Sequence, residues 1–265
     1  MKDAVTAADF RRKKIAGEKI AVLTAYDFPT AALVDAAGVD AILVGDSVGM
    51  VVMGRENTLS VTMDVMAHHT AMVSRAVKRA LVIADLPFLS YHTGPDDAVR
   101  HAGRLVAEAG AHAVKLEGPV DQFGDCIRAI LRAGIPVMGH VGLTPQSILH
   151  FGGFKVQGRE EADALRIKAA ALALEAAGCF AVVLECVPSV LAAEITSVLS
   201  IPTIGIGAGA ACDGQVLVMH DIVGWGKTRF AKTYADARGA MAGAFAAYVK
   251  EVKDGVYPGA EHGYE

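Results

Sequence analysis

Apolar residues along this chain come in short blocks, and several blocks are introduced by the same phrase. Ala36-Ala37-Gly38-Val39-Asp40-Ala41 leads into Ile42-Leu43-Val44-Gly45-Asp46, and Ala109-Gly110-Ala111-His112-Ala113 leads into Val114-Lys115-Leu116-Glu117. Ala133-Gly134-Ile135-Pro136 leads into Val137-Met138-Gly139-His140, and Ala176-Ala177-Gly178-Cys179-Phe180-Ala181 into Val182-Val183-Leu184-Glu185. Each reads as a helix ending on a glycine, a tight turn, a short buried strand, then a polar or charged residue. Uninterrupted apolar strands suit a parallel sheet covered on both faces. In a closed (β/α)8 barrel the strand C-termini converge on one face, where active sites lie.

The same reading predicts strands over 20–24, 41–44, 81–84, 113–116, 136–139, 181–184, 202–206 and 215–219. Helices are expected near 30–37, 62–78, 121–132, 160–177, 188–199 and 235–252, with another opened by Pro95 and stopped by Gly110. A short helix over 10–15, opened by Thr6 and Asp9 as a capping box, is positioned to close the barrel bottom. Two segments, 47–62 and 142–159, are long glycine-punctuated loops, a length that usually marks function. No linker or composition shift divides the chain. The expectation is an α/β fold, one TIM-barrel domain over 1–265, near the ~250 residues usual for that barrel.

Composition narrows the partners. The chain is 53% hydrophobic with a formal net charge of -4, so no basic field points to nucleic acid. The cluster from Arg11 to Lys14 reads as a solvated helix face. Cys126, Cys179, Cys186 and Cys212 show no C-x-x-C or zinc spacing and read as reduced thiols in a reducing, cytoplasmic compartment. Met1 to Ala4 carry no apolar signal core, and no apolar run is long enough for a membrane span.

Asp46, Asp85, Glu117 and Glu185 fall at the ends of strands two, three, four and six, with Lys115 and His140 beside them. Carboxylates gathered on one face repel unless a cation sits among them. Hard oxygen donors without a Cys/His cluster point to Mg²⁺ rather than zinc, with Asp46 and Asp85 as the best direct ligands. Lys115 and Glu117 share one face of a strand. Lys115 can serve as a Schiff-base nucleophile or as a cation for a substrate carboxylate, and the second role is preferred because metal-assisted enolisation needs no imine. His140 reads as a donor behind the reacting groups, and otherwise as a core histidine. Gly205-Ile206-Gly207-Ala208-Gly209 reads either as a phosphate cradle or as a tight turn that lets a neighbour approach.

The series Leu23-Thr24-Ala25-Tyr26-Asp27, Val44-Gly45-Asp46-Ser47-Val48-Gly49-Met50, Ala84-Asp85-Leu86-Pro87-Phe88 and Val114-Lys115-Leu116-Glu117-Gly118 resembles the ketopantoate hydroxymethyltransferase family. So do Gly139-His140-Val141-Gly142-Leu143-Thr144-Pro145-Gln146, Gly153-Phe154-Lys155-Val156-Gln157-Gly158-Arg159 and Tyr257-Pro258-Gly259-Ala260-Glu261-His262, across nearly the whole chain. The resemblance implies transfer of a one-carbon unit from 5,10-methylenetetrahydrofolate to 3-methyl-2-oxobutanoate, giving 2-dehydropantoate in pantothenate biosynthesis. It implies Mg²⁺ on Asp46 and Asp85 with Glu117 as a third metal-associated acid. It implies 2-oxoacid binding by Asp46, Ser47, Asp85 and Lys115, Glu185 as general base, and a homodecamer.

Physical logic agrees. A 2-oxoacid chelates Mg²⁺, which stabilises the enolate formed when the C3 proton leaves. The base must be ionised yet basic, so partial burial is expected to raise Glu185 toward neutrality. One rival is a phosphoenolpyruvate mutase or isocitrate-lyase-like barrel, which also handles 2-oxoacid enolates on Mg²⁺. The lyase's Lys-Lys-Cys-Gly-His string is absent here. A non-catalytic barrel is the second rival, and the acid constellation argues against it because buried unpaired carboxylates are costly.

Overall fold

In the computed structural model, residues 4–226 and 228–264 are described. The reading of Met1 to Asp3 as free of a signal core therefore lies outside the described residues. Contacts divide the chain into two compact units, Met1–Val218 and Met219–Glu265. The expected barrel lies within the first unit.

The first unit is a closed barrel of eight parallel strands in chain order, β1 to β8. It begins with α1 (Ala7–Ala16), β1 (Ile20–Thr24), α2 (Phe28–Ala36), β2 (Ala41–Val44), α3 (Val48–Val51) and α4 (Met63–Ala76). Then come β3 (Leu81–Asp85), α5 (Pro95–Ala107), β4 (Ala113–Lys115), α6 (Val120–Arg132) and β5 (Val137–Gly142). It ends with α7 (Ile148–Phe151), α8 (Glu161–Ala177), β6 (Ala181–Glu185), α9 (Ser189–Val198), β7 (Thr203–Ile206) and β8 (Gly214–Leu217). The second unit holds α10 (Met219–Ile222) and α11 (Ala237–Lys253). Among the described residues, no helix is long and apolar enough to cross a membrane.

The repeated phrase folds as expected. At Gly178, φ is 103° and its N–H donates to Glu175 and Leu174 carbonyls, ending α8 in the left-handed conformation that glycine adopts without strain. Gly38, Gly110 and Gly134 end their turns with positive φ too. The loops differ from expectation. The 47–62 segment contains α3, and 142–159 contains a 3-10 turn over Pro145–Ser147 followed by α7. These helices are too short to show a 3.6-residue period. The helix expected from 121 begins at Val120, with Pro119 at the cap position and Asp121 in the first turn. Strand eight ends at Leu217, short of the expected 219, and Met219 to Ile222 form α10.

Alternate residues of the strands fill the barrel interior: Val22, Leu43, Ile83, Ala113, Met138, Val183, Ile204 and Val216 belong to one buried cluster. Phe10 of α1 joins that cluster, fully buried, with its ring edge-on to Phe180 at 5.4 Å. Ion pairs Lys13–Asp40 at 3.1 Å and Lys14–Asp213 at 2.7 Å fasten α1 beneath the strands. The N-terminal helix thus plugs the bottom and leaves the other end open for chemistry.

Phe10→Ala is expected to cost about 3–5 kcal/mol of unfolding free energy, the range for truncating a buried aromatic. Urea denaturation reads it. A loss under about 1 kcal/mol would show that the plug is dispensable.

Candidate active site

The site is the next layer above the barrel core. Successive strand residues alternate between faces, so residues two apart share one. Ile83 therefore leads to Asp85, Ala113 to Lys115 and on to Glu117, Met138 to His140, and Val183 to Glu185. The inward face that is apolar at the bottom becomes ionisable at the top. Register adds the lateral contacts: Asp85 pairs with Lys115 across β3 and β4, and Glu185 pairs with Gly142 across β5 and β6. Asp46 lies just beyond β2, and its N–H donates to Asp85 Oδ2 at 3.1 Å.

Lys115 Nζ donates to Asp85 Oδ1 at 2.6 Å and lies 3.8 Å from Glu117 Oε1. Asp46, Asp85, Lys115, Glu117 and His140 are each at most 4% exposed. Burial, then the charges of Glu117 and Asp85, pushes the Asp46 carboxyl well up. Burial also raises Asp85, although Lys115 opposes it. Burial alone would lower Lys115, but Asp85, Glu117 and Asp46 outweigh it and hold the ammonium charged.

His140 lies between two acids, with Nδ1 3.4 Å from Glu117 and Nε2 3.3 Å from Glu185. Neither contact is aligned as a hydrogen bond, so the ring is held by charge. Burial pulls the imidazole down, yet the two carboxylates win and raise it to about 9. Glu117 is also penalised by burial, but His140, Lys115 and the Gln146 N–H bring its pKa below its ordinary value. Glu185 is half-buried at the end of β6. Ser47 Oγ is 2.8 Å from Tyr26 Oη at the top of β1 and β2. All the sequence-predicted residues therefore converge on the barrel mouth.

Gln146, with its partner Tyr91, carries structure that sequence reasoning did not assign. Gln146, buried in the β5–α8 loop, donates from Nε2 to Asp46 Oδ2 and to the Leu86 carbonyl, each at 2.9 Å. Its Oε1 accepts from Tyr91 Oη at 2.7 Å, and its backbone N–H donates to Glu117 Oε2 at 2.9 Å. It fixes the orientation of Asp46 and Glu117 at once. The only available signal was its position in a long loop, in Thr144-Pro145-Gln146.

The donor set suits a hard divalent cation. Asp46 and Asp85 supply buried carboxylate oxygens, and Asp85 is hydrogen-bonded to Lys115. Among the described residues, no three of His, Cys, Asp and Glu form a metal-holding group. Glu117, held by Gln146 and close to His140 and Lys115, is the third acid beside Asp46 and Asp85. Such a site leaves positions for water and substrate. The 205–209 turn is packed: a Cβ on Gly209 would lie 2.6 Å from the Ser189 side chain, and one on Gly205 2.9 Å from Cys212 Sγ. It is a close-approach turn.

A closed (β/α)8 barrel with ionisable side chains gathered at the strand C-termini has the architecture of a barrel enzyme. Among solved structures, the barrel is similar to phosphonopyruvate hydrolase in complex with oxalate and Mg²⁺, with a TM-score of 0.62 at 14% identity, covering 98% of this chain and 92% of that one. It is similar also to 2,3-dimethylmalate lyase, of the phosphoenolpyruvate mutase/isocitrate lyase superfamily, with a TM-score of 0.61 at 19% identity and the same coverage. At those identities the likeness shows the fold alone.

Sequence relatives are far nearer. The 3-methyl-2-oxobutanoate hydroxymethyltransferase of Acetivibrio thermocellus is 57% identical over 97% of this chain and 92% of its own. That of Enterococcus faecalis is 54% identical over 98% and 95%. The ketopantoate hydroxymethyltransferase family model matches residues 4–260. The chain belongs to the ketopantoate hydroxymethyltransferase family, and it is a hydroxymethyl-transferring enzyme.

Asp46→Asn tests the crowding of charge. The folded pKa of Asp46 lies above its unfolded value, so the ionised carboxylate costs native stability at neutral pH, and the cost disappears as pH falls through the carboxyl range. In chelator, Asp46→Asn is expected to stabilise the fold by on the order of 1 kcal/mol at pH 7, less at pH ~4. Thermal denaturation reads the difference. A variant less stable than the parent at neutral pH would contradict the assignment.

Proposed function

We propose that the chain catalyses Mg²⁺-dependent transfer of a hydroxymethyl group from 5,10-methylenetetrahydrofolate to 3-methyl-2-oxobutanoate, giving 2-dehydropantoate. By the same reading it works in the cytoplasm as a homodecamer. The observation that carries the reaction is the buried cluster of Asp46, Asp85 and Lys115, faced by Glu185 across the barrel mouth. Family membership supports the acceptor and the group transferred.

Asp46 and Asp85 would hold Mg²⁺, which when bound supplies positive charge to the 2-oxoacid's oxygens and so favours loss of the adjacent proton. Lys115, the cation already facing Asp85, orients the substrate carboxylate. Ser47, hydrogen-bonded to Tyr26, offers a second polar contact. Glu185 removes the C3 proton. His140 is charged at neutral pH, so it is an imidazolium that steadies Glu185 rather than a ready base. A carbon–carbon bond forms between C3 and the donor's methylene carbon. Water supplies the hydroxyl, and one hydrogen from C3 and one from water end on the two folate nitrogens. The loops at 47–62 and 142–159 limit water at the reacting carbon.

Chelator is expected to abolish turnover and Mg²⁺ to restore it. Asp85→Ala is expected to lose metal and 2-oxoacid binding together in calorimetric titrations. Borohydride reduction in the presence of substrate should leave Lys115 unlabelled. A reduced adduct on Lys115, or unchanged 2-oxoacid affinity without metal, counts against the mechanism.

Glu185→Gln keeps shape and removes the base. Exchange of the C3 proton of 3-methyl-2-oxobutanoate into deuterium oxide, followed by NMR without folate, isolates that step. The variant is expected to be slower by roughly 10²–10⁴-fold, with Mg²⁺ and 2-oxoacid binding retained. Exchange at the parent rate would move the base elsewhere.

A further inference from the structure

A cavity of about 680 Å³ opens on the loop face of the barrel beside the carboxylate cluster. That is within the ~300–1,000 Å³ of sites that enclose drug-sized ligands, and far more than a small branched 2-oxoacid fills. Its lining includes Phe88, Tyr91, His92 and Phe123 on one side, Glu117 toward the barrel mouth, and Arg166 of α8.

The aromatic side is a continuous bank of rings. Tyr91 and His92 lie 4.2 Å apart between centroids, tilted by 38°. His92 meets Phe123 edge-on at 4.9 Å and Phe88 at 5.2 Å. Tyr91 is buried, whereas Phe88, His92 and Phe123 are half-buried, so the bank keeps ring surface free. Burial lowers the His92 pKa, which keeps the imidazole neutral and suited to stacking. Such a wall takes a flat heteroaromatic ring.

The cavity is also wired to the site. Tyr91 Oη donates to Gln146 Oε1, and Gln146 Nε2 donates to Asp46 Oδ2. Glu117 lines the cavity and lies 3.8 Å from Lys115 Nζ, so one wall is shared with the carboxylate cluster. Arg166 is exposed and places a guanidinium at the cavity, although Asp163 already pairs with it. Leu149, also on the lining, is 78% exposed. Aromatic rings, apolar side chains and a guanidinium on one lining suit a ligand with a flat ring, an aromatic arm and an anionic tail.

We propose that this cavity is the subsite for the reduced-folate one-carbon donor, with the pteridine against the ring bank and the carboxylate tail toward Arg166. The proposal rests on the reaction given above and adds where the donor sits. Placed there, the donor approaches the 2-oxoacid from the side of Glu117 and Gln146.

The test uses tetrahydrofolate as the probe, titrated calorimetrically into the full chain with Mg²⁺ present. Phe123→Leu keeps apolar volume and removes the ring, and Arg166→Gln removes the cation. Phe123→Leu is expected to weaken tetrahydrofolate binding and raise the donor KM by about 10-fold, with Arg166→Gln showing a smaller loss of about 3-fold. Both variants should exchange the C3 proton of 3-methyl-2-oxobutanoate at the parent rate, since that step needs no folate. This retention also shows that the variants are folded. If the parent transfers the hydroxymethyl group and Phe123→Leu keeps the parent Kd and KM, the subsite is wrong while the reaction stands. If the parent exchanges the proton but neither binds tetrahydrofolate nor uses its methylene derivative, the donor itself is wrong. A changed oligomeric state in Phe123→Leu with folate affinity intact would assign the cavity to an interface between copies and overturn the proposal.

Discussion

Asp46, Asp85 and Glu117 are buried within reach of one another, with Lys115 and the His140 imidazolium as the positive charges beside them among the described residues. Two like unit charges 4 Å apart repel by about 4 kcal/mol at an effective dielectric near 20. An arrangement of that kind persists only when other forces hold the backbone. The closed ladder of eight strands does so, because each acid follows a strand whose register its neighbours set. The remaining imbalance falls mainly on Asp46, which has an amide partner but no cation of its own. In the function proposed above, a divalent ion held by Asp46 and Asp85 would complete that balance.

The same constraint separates roles among similar residues. Glu117 and Glu185 both face His140, from opposite nitrogens. Glu117 is deep and also held by Gln146, so it acts as a fixed negative charge that keeps Lys115 and His140 protonated. Glu185 is half-buried at the edge of the cluster. Chemically equal side chains have different surroundings because the loop that carries Gln146 closes over one and not the other.

Much of this was legible in the sequence. Strands two and three were readable because buried parallel strands are continuous apolar runs, and 41–44 is the observed extent of β2. The convergence of Asp85, Lys115, His140 and Glu185 followed from strand ends sharing one face of a barrel. Gln146 was not legible as a partner of Asp46, since the two are 100 positions apart and meet through a loop with no period. Tyr91 was hidden for the same reason, and α3 and α7 were too short to announce themselves.

The central claim, that crowded buried carboxylates create the need for a metal, predicts a proton count. Burial and mutual repulsion raise Asp46 and Asp85, so Mg²⁺ must displace protons held above the ordinary carboxylate range. Calorimetric titration of Mg²⁺ into the chelator-treated chain, repeated in buffers of different ionisation enthalpy between about pH 5 and pH 8, measures the protons released. The account predicts net proton release that declines as pH rises. Tight Mg²⁺ binding with no proton release at any pH in that range would contradict it.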